Sequence, residues 1–309
     1  MRAVVCTAYG PPEVLQLAEV PEPSPKDNEV LIKIFASAVT ASDCIVRGFK
    51  VPSAFRIPMG LALGFSKPRN PILGMIAAGE VVSAGKGVKR FEAGNQVYTF
   101  SIRRFGTYAE YMCLPADAVI APKPSNLTYE EAAAIPYGGL LALHYLRKGN
   151  IQSGQKVLIY GASGAVGTSA VQLARHFGAQ VTGICSTANL ELVRSLGADT
   201  VVDYTREDPN NREERYHFVF DAVGRRKSSR FQGTKATAPN GKYISVDDGS
   251  PKLDVEGLTF LTRLVEAGKL KPVIDRRYPL EQIVEAHRYV DQGHKKGNVV
   301  ISVQHSSGA

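Results

Sequence analysis

The stretch KVLIYGASGAVGTSAVQLARHFGAQVTGICST, from Lys156 to Thr187, decides the fold of this chain. It contains an apolar run, a glycine-rich turn, an apolar pattern of helical spacing that ends at Gly178, and a second short apolar run. This order predicts strand, turn, helix and strand, which is one βαβ unit of the dinucleotide-binding kind. The preceding strand and the following helix make the G-x-G-x-x-G match specific, although alanine holds its first position. We expect a bound dinucleotide here; a tight turn without a ligand is the alternative.

The glycine turn has a predicted role for each of its small residues. Ala162 permits the tight turn, Gly164 lets the backbone approach a pyrophosphate, and Gly167 lets the helix pack close to the strand. The free N–H groups and the dipole of the helix N-terminus favour an anion. The residues expected to contact the cofactor here are Gly161, Ala162, Ser163, Gly164, Ala165, Val166 and Gly167.

The end of the second strand indicates which nicotinamide cofactor to expect. Units of this kind that bind NAD usually carry an acidic residue there, but residues 185–189 of this chain read CSTAN. The side chains of Ser186, Thr187 and Asn189 can donate to a ribose phosphate, and Tyr204 follows the next strand and can lie beside the same pocket. We therefore expect NADPH rather than NADH. Capping of the next helix is the alternative role of Ser186 and Asn189.

Length and composition limit the class of protein. With 309 residues and 44% apolar side chains, the chain is long enough for two domains with cores of their own. Its four cysteines are scattered and form no C-x-x-C pair, which is typical of reduced thiols. The N-terminal apolar run is too short for a signal peptide, and no run approaches the length of a membrane span. We therefore expect a cytoplasmic protein.

The formal charge of +8 raises the question of nucleic-acid binding. The basic residues are dispersed, with small clusters such as Lys86–Arg90 and Lys295–Lys296, and the sequence contains no long basic arm or recognised nucleic-acid motif. We expect a basic surface that attracts an anionic cofactor, and no nucleic-acid partner.

The chain changes its pattern twice, which predicts an α/β protein of two domains. Residues 1–124 read as short strands between turn signals, typical of a small antiparallel barrel. Residues 125–271 alternate strands with helices, typical of a doubly wound parallel sheet. Residues 272–309 return to extended segments, which we expect to pack on the first domain. The stretch from Val51 to Pro71 is irregular and apolar, and it is either a mobile loop over a site or a surface insertion.

Four stretches together carry a resemblance to a known family. They are Gly10–Leu15, Thr40–Asp43 with Arg47–Gly48, Pro71–Gly74 leading to Gly79–Val82, and the glycine turn with Leu196–Asp199. In this order and spacing the chain resembles the medium-chain dehydrogenase/reductase superfamily, in its zinc-independent quinone oxidoreductase branch. The resemblance covers nearly the whole chain. It implies a GroES-like substrate domain built from both chain ends, a Rossmann domain between them, and an active site in the cleft.

The same resemblance argues against a metal. Zinc alcohol dehydrogenases of the superfamily place cysteine where Thr40 stands and a His-Glu pair where Met75 and Ile76 stand, and the three residues here cannot form a tetrahedral zinc site. Alcohol oxidation requires a Lewis acid to hold the alkoxide. Hydride delivery to a quinone or an α,β-unsaturated carbonyl requires mainly positioning, because the acceptor delocalises the charge. The resemblance thus implies NADPH-dependent, zinc-independent reduction of such an acceptor.

The resemblance also places further site residues. Asp43 and Arg47 match a motif near the nicotinamide, with a structural ion pair at i and i+4 as the alternative. Tyr137 is a candidate proton donor or stacking partner, with a core aromatic as the alternative, and Leu141 replaces a threonine that often contacts the carboxamide. The remaining residues expected near the cofactor are Val223, Gly224, Ser245, Val246, Lys296, Gly297 and Asn298.

Three questions stay open in the sequence. An NADPH-binding sensor or scaffold with little catalysis, or an alcohol dehydrogenase, is the alternative to a quinone or enone reductase. Nothing in the sequence identifies which quinone or enone is reduced. A homodimer stays undecided because the segment between Val246 and Gly257 is short, whereas longer relatives have there a sixth strand that commonly pairs between subunits.

Overall fold

A computed structural model describes residues 1–102, 104–225, 228 and 231–305 of the chain. The chain forms two compact units. The first unit comprises Met1–Pro136 together with the chain from Ile274 on, and the second comprises Tyr137–Val273. The boundaries expected from the sequence, after residues 124 and 271, differ from these.

The strands and helices of the described residues are numbered in chain order. The strands are β1 (Arg2–Cys6), β2 (Leu15–Glu19), β3 (Glu29–Val39), β4 (Ile76–Ala84), β5 (Gln96–Phe100), β6 (Tyr111–Pro115), β7 (Ile120–Pro122), β8 (Lys156–Tyr160), β9 (Gln180–Cys185), β10 (Thr200–Asp203), β11 (Tyr216–Asp221), β12 (Thr237–Ser245), β13 (Ile274–Pro279) and β14 (Asn298–Ser302). The helices are α1 (Ala41–Arg47), α2 (Arg56–Leu63), α3 (Tyr129–Ala133), α4 (Pro136–Gly149), α5 (Ala165–His176), α6 (Leu190–Ser195), α7 (Gly233–Ala236), α8 (Val255–Glu266) and α9 (Ile283–Asp291).

The long strand β3 organises the first unit. It pairs antiparallel with β4, β6 and β14, in a sheet of order β13-β14-β3-β4-β5-β7 with β6 attached to β3. Its alternate residues Val30, Ile32 and Ile34 are fully buried in the core of the unit, as the two-residue period of a strand requires. The β-rich first domain expected from the sequence is confirmed.

The last strands of the chain belong to this same sheet. β14 lies antiparallel to β3, with Val299 opposite Val39. β13 lies parallel to β14 at the edge of the sheet. Both ends of the chain therefore contribute to the first unit.

The second unit has a parallel five-stranded sheet of order β10-β9-β8-β11-β12. The chain winds outward from β8 through β9 to β10, and then crosses to β11 and β12 on the other side of β8. Such a reversal of strand order is a topological switch point, where parallel α/β sheets bind their ligands at the carboxyl ends of the strands. The expected doubly wound sheet is confirmed, and the glycine turn follows β8 at this switch point.

Helix α3 explains why the first boundary lies later than expected. It begins with a capping box between Thr128 and Glu131, which is the signal that the sequence shows. Its Tyr129 stacks on Phe35 of β3 with ring centroids 4.7 Å apart, and Glu130 forms an ion pair with Arg277 at 2.6 Å. These contacts attach α3 to the sheet of the first unit.

The stretch 51–71 is more ordered than the sequence suggests, because it contains α2 and a short 3-10 turn before it. None of the helices in the described ranges combines the length and the apolar character that a membrane crossing requires.

Candidate functional site

The turn between β8 and α5 requires glycine at two positions. Gly161 has a φ of +77°, where a side chain is strained, and a Cβ at Gly167 would lie 2.1 Å from the Gly161 carbonyl oxygen. Gly167 therefore allows the close approach of helix and strand that was predicted. The left-handed residue of the turn is Gly161, and the small Ala162, expected to permit the tight turn, is fully buried beside it.

Gly164 differs from these two glycines because the protein itself does not require it. Its φ is −77°, and a Cβ there would meet only the Gly161 carbonyl oxygen, at an ordinary 3.6 Å. Gly164 is the N-cap of α5 and brings no side chain to the N–H groups of the first turn, which lack intrahelical acceptors. The open space and these donors fit a pyrophosphate group. Ala165 and Val166 are the first residues of the helix and supply two of these N–H groups.

Ser163, Ser186 and Asn189 meet at the carboxyl end of β9. The Asn189 amide nitrogen donates to the hydroxyl oxygens of Ser163, at 3.1 Å, and Ser186, at 3.2 Å. Both serines can therefore still donate their own hydroxyl hydrogens. The Asn189 carbonyl oxygen is buried and has no partner among the described residues, although buried polar atoms are normally paired. This group, the serine–asparagine trio, offers two donors and one free acceptor to a ribose or its phosphate.

Thr187 faces a carboxylate that comes from the neighbouring strand β10. Its hydroxyl donates to Asp203 and shares a hydrogen bond of 2.8 Å with the Thr205 hydroxyl. The hydroxyls of Thr187 and Thr205 lower the pKa of Asp203, so this carboxyl is ionised at neutral pH. The Thr187 hydroxyl is thus engaged by Asp203, a carboxylate at the end of the neighbouring strand, although residues 185–189 themselves carry none.

The signal that reveals Asp203 is the sheet register. Cys185 and Asp203 are partners at the ends of the parallel strands β9 and β10, and parallel strands end at the same edge. β10 lies beyond the first βαβ unit, so the sequence pattern of that unit does not include Asp203. Tyr204, the next residue, is exposed beside this edge.

The loop after β11 is fixed by the buried carboxylate of Asp221. One of its oxygens accepts from the backbone N–H groups of Val223, at 3.0 Å, and Gly224, at 3.1 Å. The other accepts from the hydroxyls of Ser228 and Tyr243. The Val223 side chain covers Gly161, since a Cβ at Gly161 would lie 2.3 Å from its Cγ2. The structure thus brings Val223 against the glycine turn, and Asp221 holds Gly224 next to it.

The end of β12 lies at the same edge of the sheet. Ser245 is the register partner of Asp221, and its backbone N–H donates to Asp248 at 2.9 Å. The Val246 carbonyl accepts a hydrogen bond of 2.7 Å from the Tyr145 hydroxyl of α4. Ser245 and Val246 are therefore held by neighbouring elements at the carboxyl edge that carries the turn.

In the first unit, Asp43 and Arg47 lie on α1 but do not pair with each other. Asp43 forms a capping box with Thr40 and accepts from its backbone N–H at 2.8 Å. Arg47 is fully buried, forms an ion pair of 2.5 Å with Asp291 of α9, and donates to the Gly10 carbonyl. The alternative of an i, i+4 ion pair between Asp43 and Arg47 is therefore wrong.

Arg47 also determines the protonation of a buried histidine. Its guanidinium lies 3.2 Å from Nδ1 of His287. Since arginine only donates, Nδ1 accepts and the ring proton resides on Nε2. Burial and the neighbouring Arg47 charge lower the pKa of His287 to about 3.

The carboxyl of Asp43 interacts with the buried Tyr108 hydroxyl, and His287 Nε2 is buried without a hydrogen-bond partner among the described residues. The Tyr108 and His287 rings meet edge to face with centroids 5.6 Å apart. Burial raises the pKa of Asp43 to about 6. We call Asp43, Arg47, Tyr108, His287 and Asp291 the α1–α9 cluster.

The positions that hold zinc in metal-dependent relatives are occupied by other chemistry. Thr40 uses its hydroxyl and backbone in the capping box, while Met75 and Ile76 are buried and apolar. Cys44 lies 3.6 Å from Nδ1 of His287. Within residues 1–102, 104–225, 228 and 231–305, no three His, Cys, Asp or Glu side chains group as metal ligands. The residues at the expected zinc positions do not fit zinc.

The remaining predicted residues lie in other elements of the two units. Tyr137 is half-buried at the start of the second unit, and Leu141 is buried. In the first unit, the Lys296 N–H donates to Asp275 at 2.9 Å, Gly297 has a φ of +52°, and Asn298 is buried at the start of β14. The roles of these residues toward a cofactor stay predictions.

Known families match two parts of the chain. Residues 26–125 match an alcohol dehydrogenase GroES-like domain, and residues 165–264 and 250–301 match zinc-binding dehydrogenase models. The last two models are described as zinc-binding, whereas this chain has Thr40, Met75 and Ile76 at the positions where zinc ligands are expected.

Curated relatives are similar over almost the whole chain. The 2-methylene-furan-3-one reductase of Solanum lycopersicum is 34% identical over 330 residues, which covers 97% of this chain and 79% of that protein. The chloroplastic NADPH-dependent alkenal/one oxidoreductase of Arabidopsis thaliana is 32% identical, covering 97% and 79%.

Solved structures are also similar over almost the whole chain. The quinone oxidoreductase from Coxiella burnetii has a TM-score of 0.83 and 28% identity, covering 98% of this chain and 99% of that one. A structure described as NAD-dependent alcohol dehydrogenase has a TM-score of 0.84 and 31% identity, covering 98% and 100%.

Proposed function

We propose that this chain, which belongs to the medium-chain dehydrogenase/reductase superfamily as a quinone oxidoreductase-like protein, reduces quinones or α,β-unsaturated carbonyls with NADPH and without zinc. One observation carries the proposal: Gly164 leaves open space at an uncapped helix N-terminus, at the switch point of a parallel sheet. When bound, NADPH supplies the hydride. Both curated relatives named above act on conjugated carbonyl compounds by name.

The residues of the second unit bind and orient the cofactor in this proposal. The N–H groups at the start of α5 bind the pyrophosphate. Ser163 and Ser186 donate to the 2′-phosphate, and Asn189 accepts from a ribose hydroxyl with its unpaired carbonyl oxygen. Val223 and Gly224, held by Asp221, cover the turn, and Ser245 and Val246 line the next strand end.

The proposed preference for NADPH is based on the serine–asparagine trio, and the negative charge of a nearby carboxylate opposes it. Asp203, ionised and hydrogen-bonded to Thr187, repels a 2′-phosphate, while Arg206 lies 3.6 Å from the Asp203 carboxylate and offsets part of that charge. We propose that NADPH is preferred but that NADH is also accepted. Thr187 then acts through Asp203 rather than on the phosphate.

Zinc independence rests on the residues at the zinc positions. Thr40, Met75 and Ile76 offer a capping hydroxyl, a buried thioether and a hydrocarbon, which is not a zinc ligand set. A conjugated acceptor takes a hydride at carbon and a proton at the neighbouring carbon or oxygen, so no alkoxide has to be held by a metal.

The first unit contributes in two different ways. Asp43 and Arg47 belong to the buried α1–α9 cluster, so we propose that they hold α1 and do not touch the substrate. Outside the first unit, Tyr137 of the second unit or solvent supplies the proton for the reduced acceptor. Lys296, Gly297 and Asn298 are proposed as contacts to the nicotinamide half of the cofactor.

Two further proposals concern the setting of the enzyme. The cytoplasm, inferred from scattered reduced cysteines, stays a proposal because one relative is chloroplastic by name. A small-molecule substrate is the expected partner, and the proposal specifies no oligomeric state.

The test is NADPH oxidation by the chelator-treated protein at saturating 1,4-benzoquinone and, separately, but-3-en-2-one, with NADH alongside and protein-free controls. Chelator-resistant turnover, faster with NADPH, is the expected result. Tight NADPH binding with no turnover on either acceptor indicates the sensor alternative. Oxidation of a secondary alcohol that appears only after zinc is restored indicates an alcohol dehydrogenase.

A further inference from the structure

Helix α2 of the first unit turns its largest apolar side chains to solvent. Ile57 is 69% exposed, Leu61 is 58% exposed and the neighbouring Phe65 is 61% exposed, and Phe55, just before the helix, is 60% exposed. Gly60 is the buried residue of the helix. An amphipathic helix normally buries such side chains against the core, so this exposed face requires an explanation.

The backbone holds this apolar face in place. Ile57 and Leu61 are four residues apart and therefore share one side of the helix. The Phe65 ring folds back onto Gly60, where a Cβ would lie 2.4 Å from a ring carbon. Gly64, with a φ of +107°, ends the helix, and its carbonyl accepts a hydrogen bond of 3.0 Å from the Tyr9 hydroxyl. Phe65 thereby extends the stripe of Ile57 and Leu61.

Exposed basic residues precede and follow this face in the chain. Arg56, Lys67 and Arg69 are exposed, and none of them forms an ion pair with a described residue. Residues 44–79 contain no aspartate or glutamate. Lys67 and Arg69 also line a cavity of about 290 Å³ together with Thr7. Residues 55–69 therefore combine exposed apolar side chains with exposed cations, and two of these cations line a recess large enough for a phosphate group.

We propose that residues 55–69, here called the α2 surface, dock the protein on an anionic lipid membrane, with Ile57, Leu61 and Phe65 inserted among the acyl chains. Exposed apolar side chains next to unpaired cations are the two features through which protein segments bind the interface of an anionic membrane. Each basic residue near an anionic surface strengthens binding about fivefold. The recess between Lys67 and Arg69 takes a lipid phosphate.

A fluorescence experiment tests this docking directly. The chain has no tryptophan, so L61W places a single reporter on the α2 surface, and L17W places one on a comparably exposed leucine of β2 as the control. Vesicles of phosphatidylglycerol are compared with vesicles of phosphatidylcholine, at low and high salt. We expect a blue shift for L61W with phosphatidylglycerol that high salt reduces, and no shift for L17W.

Charge-reversal variants separate the specific surface from overall charge. In vesicle co-sedimentation, the double variant K67E/R69E is expected to bind phosphatidylglycerol at least tenfold more weakly than the parent chain. The matched control K86E/K89E changes the net charge by the same amount at two other exposed lysines and is expected to bind nearly as well as the parent. Circular dichroism and the melting temperature confirm that each variant folds.

Three outcomes overturn the proposal. The first is no co-sedimentation of the parent chain with phosphatidylglycerol vesicles, and the second is an equal loss of binding in both double variants. The third is a blue shift of L61W without vesicles, either with rising protein concentration or on addition of NADPH and acceptor. That shift would assign the α2 surface to a second copy of the chain or to closure over the substrate.

Discussion

Variants of two glycines in the turn after β8 test protein stability and cofactor binding separately. The protein requires Gly167, whose Cβ would collide with the Gly161 carbonyl at 2.1 Å, but it leaves room for a Cβ at Gly164. We expect Gly167→Ala to lower the free energy of unfolding by about 1–3 kcal/mol through overpacking and to weaken NADPH binding as well.

Gly164→Ala is the matched variant, for which we expect little change in stability but a clear loss of NADPH affinity. Poorer helix capping and a less flexible unfolded chain offset each other, so the free energy of unfolding should change by less than about 1 kcal/mol. NADPH affinity should fall about tenfold or more because the new methyl group occupies the space of the pyrophosphate. Urea unfolding and NADPH fluorescence titration measure the two effects. Unchanged NADPH affinity of Gly164→Ala would contradict the assignment of this turn.

Asp203 provides a test of the cofactor preference. Its ionised carboxyl, held by Thr187 and Thr205, opposes a 2′-phosphate at the same strand edge. Asp203→Asn should therefore raise the affinity for NADPH severalfold and leave that for NADH nearly unchanged. Ser186→Asp adds a carboxylate in the trio and should shift the preference toward NADH. If both variants keep the parental ratio of dissociation constants, the 2′-phosphate binds elsewhere.

Helices α1 and α9 are joined by buried groups whose pKa values are shifted in opposite directions. His287, with its pKa lowered to about 3, contributes stability that is fully present above the ordinary value of 6.5 and is lost as the pH falls toward 3. Asp43, with its pKa raised to about 6, contributes stability that is fully present below 3.8 and is lost as the pH rises through 6. Between pH 4 and 6 the two contributions oppose each other.

Variants of these two residues should therefore respond to pH with opposite signs. Relative to the parent chain, His287→Gln should gain about 2 kcal/mol of unfolding free energy between pH 6 and pH 4, and Asp43→Asn should lose a similar amount. Urea unfolding at both pH values measures the differences. Equal slopes for the parent and both variants would show that neither group titrates in the folded cluster.

The elements themselves were predictable to different degrees. The bounds of β3 and β10 follow from their apolar runs and flanking turn signals, and the strand-turn-helix order around β8 follows from its glycines. Helix α2 was missed because Pro58, Gly60 and Gly64 within one segment indicate irregular structure, whereas Phe65 packing on Gly60 stabilises a helix there. α3 was assigned to the wrong unit because a capping box shows where a helix begins and not which sheet it contacts.

At the scale of the whole molecule, the sequence indicates candidate site residues that lie in one continuous segment and does not indicate contacts between distant segments. The glycine turn, Ser186 and Asn189 lie in one segment, and the structure joins Ser163, Ser186 and Asn189 by hydrogen bonds. Asp203 lies at the end of another strand, and Arg47 forms its ion pair with Asp291, which is more than 200 positions away in the chain. Neither periodicity nor spacing reports such contacts, because they depend on strand order and helix packing.

The most direct test of the central claim is the transfer of deuterium. NADPH labelled at C4, on one face or the other, is incubated with but-3-en-2-one and the protein in the presence of a chelator, and the product is analysed by mass spectrometry. The account predicts butan-2-one with one deuterium on the former β-carbon from one of the two labelled cofactors. Product without deuterium from either cofactor, or deuterium that appears only after zinc is added, would contradict it.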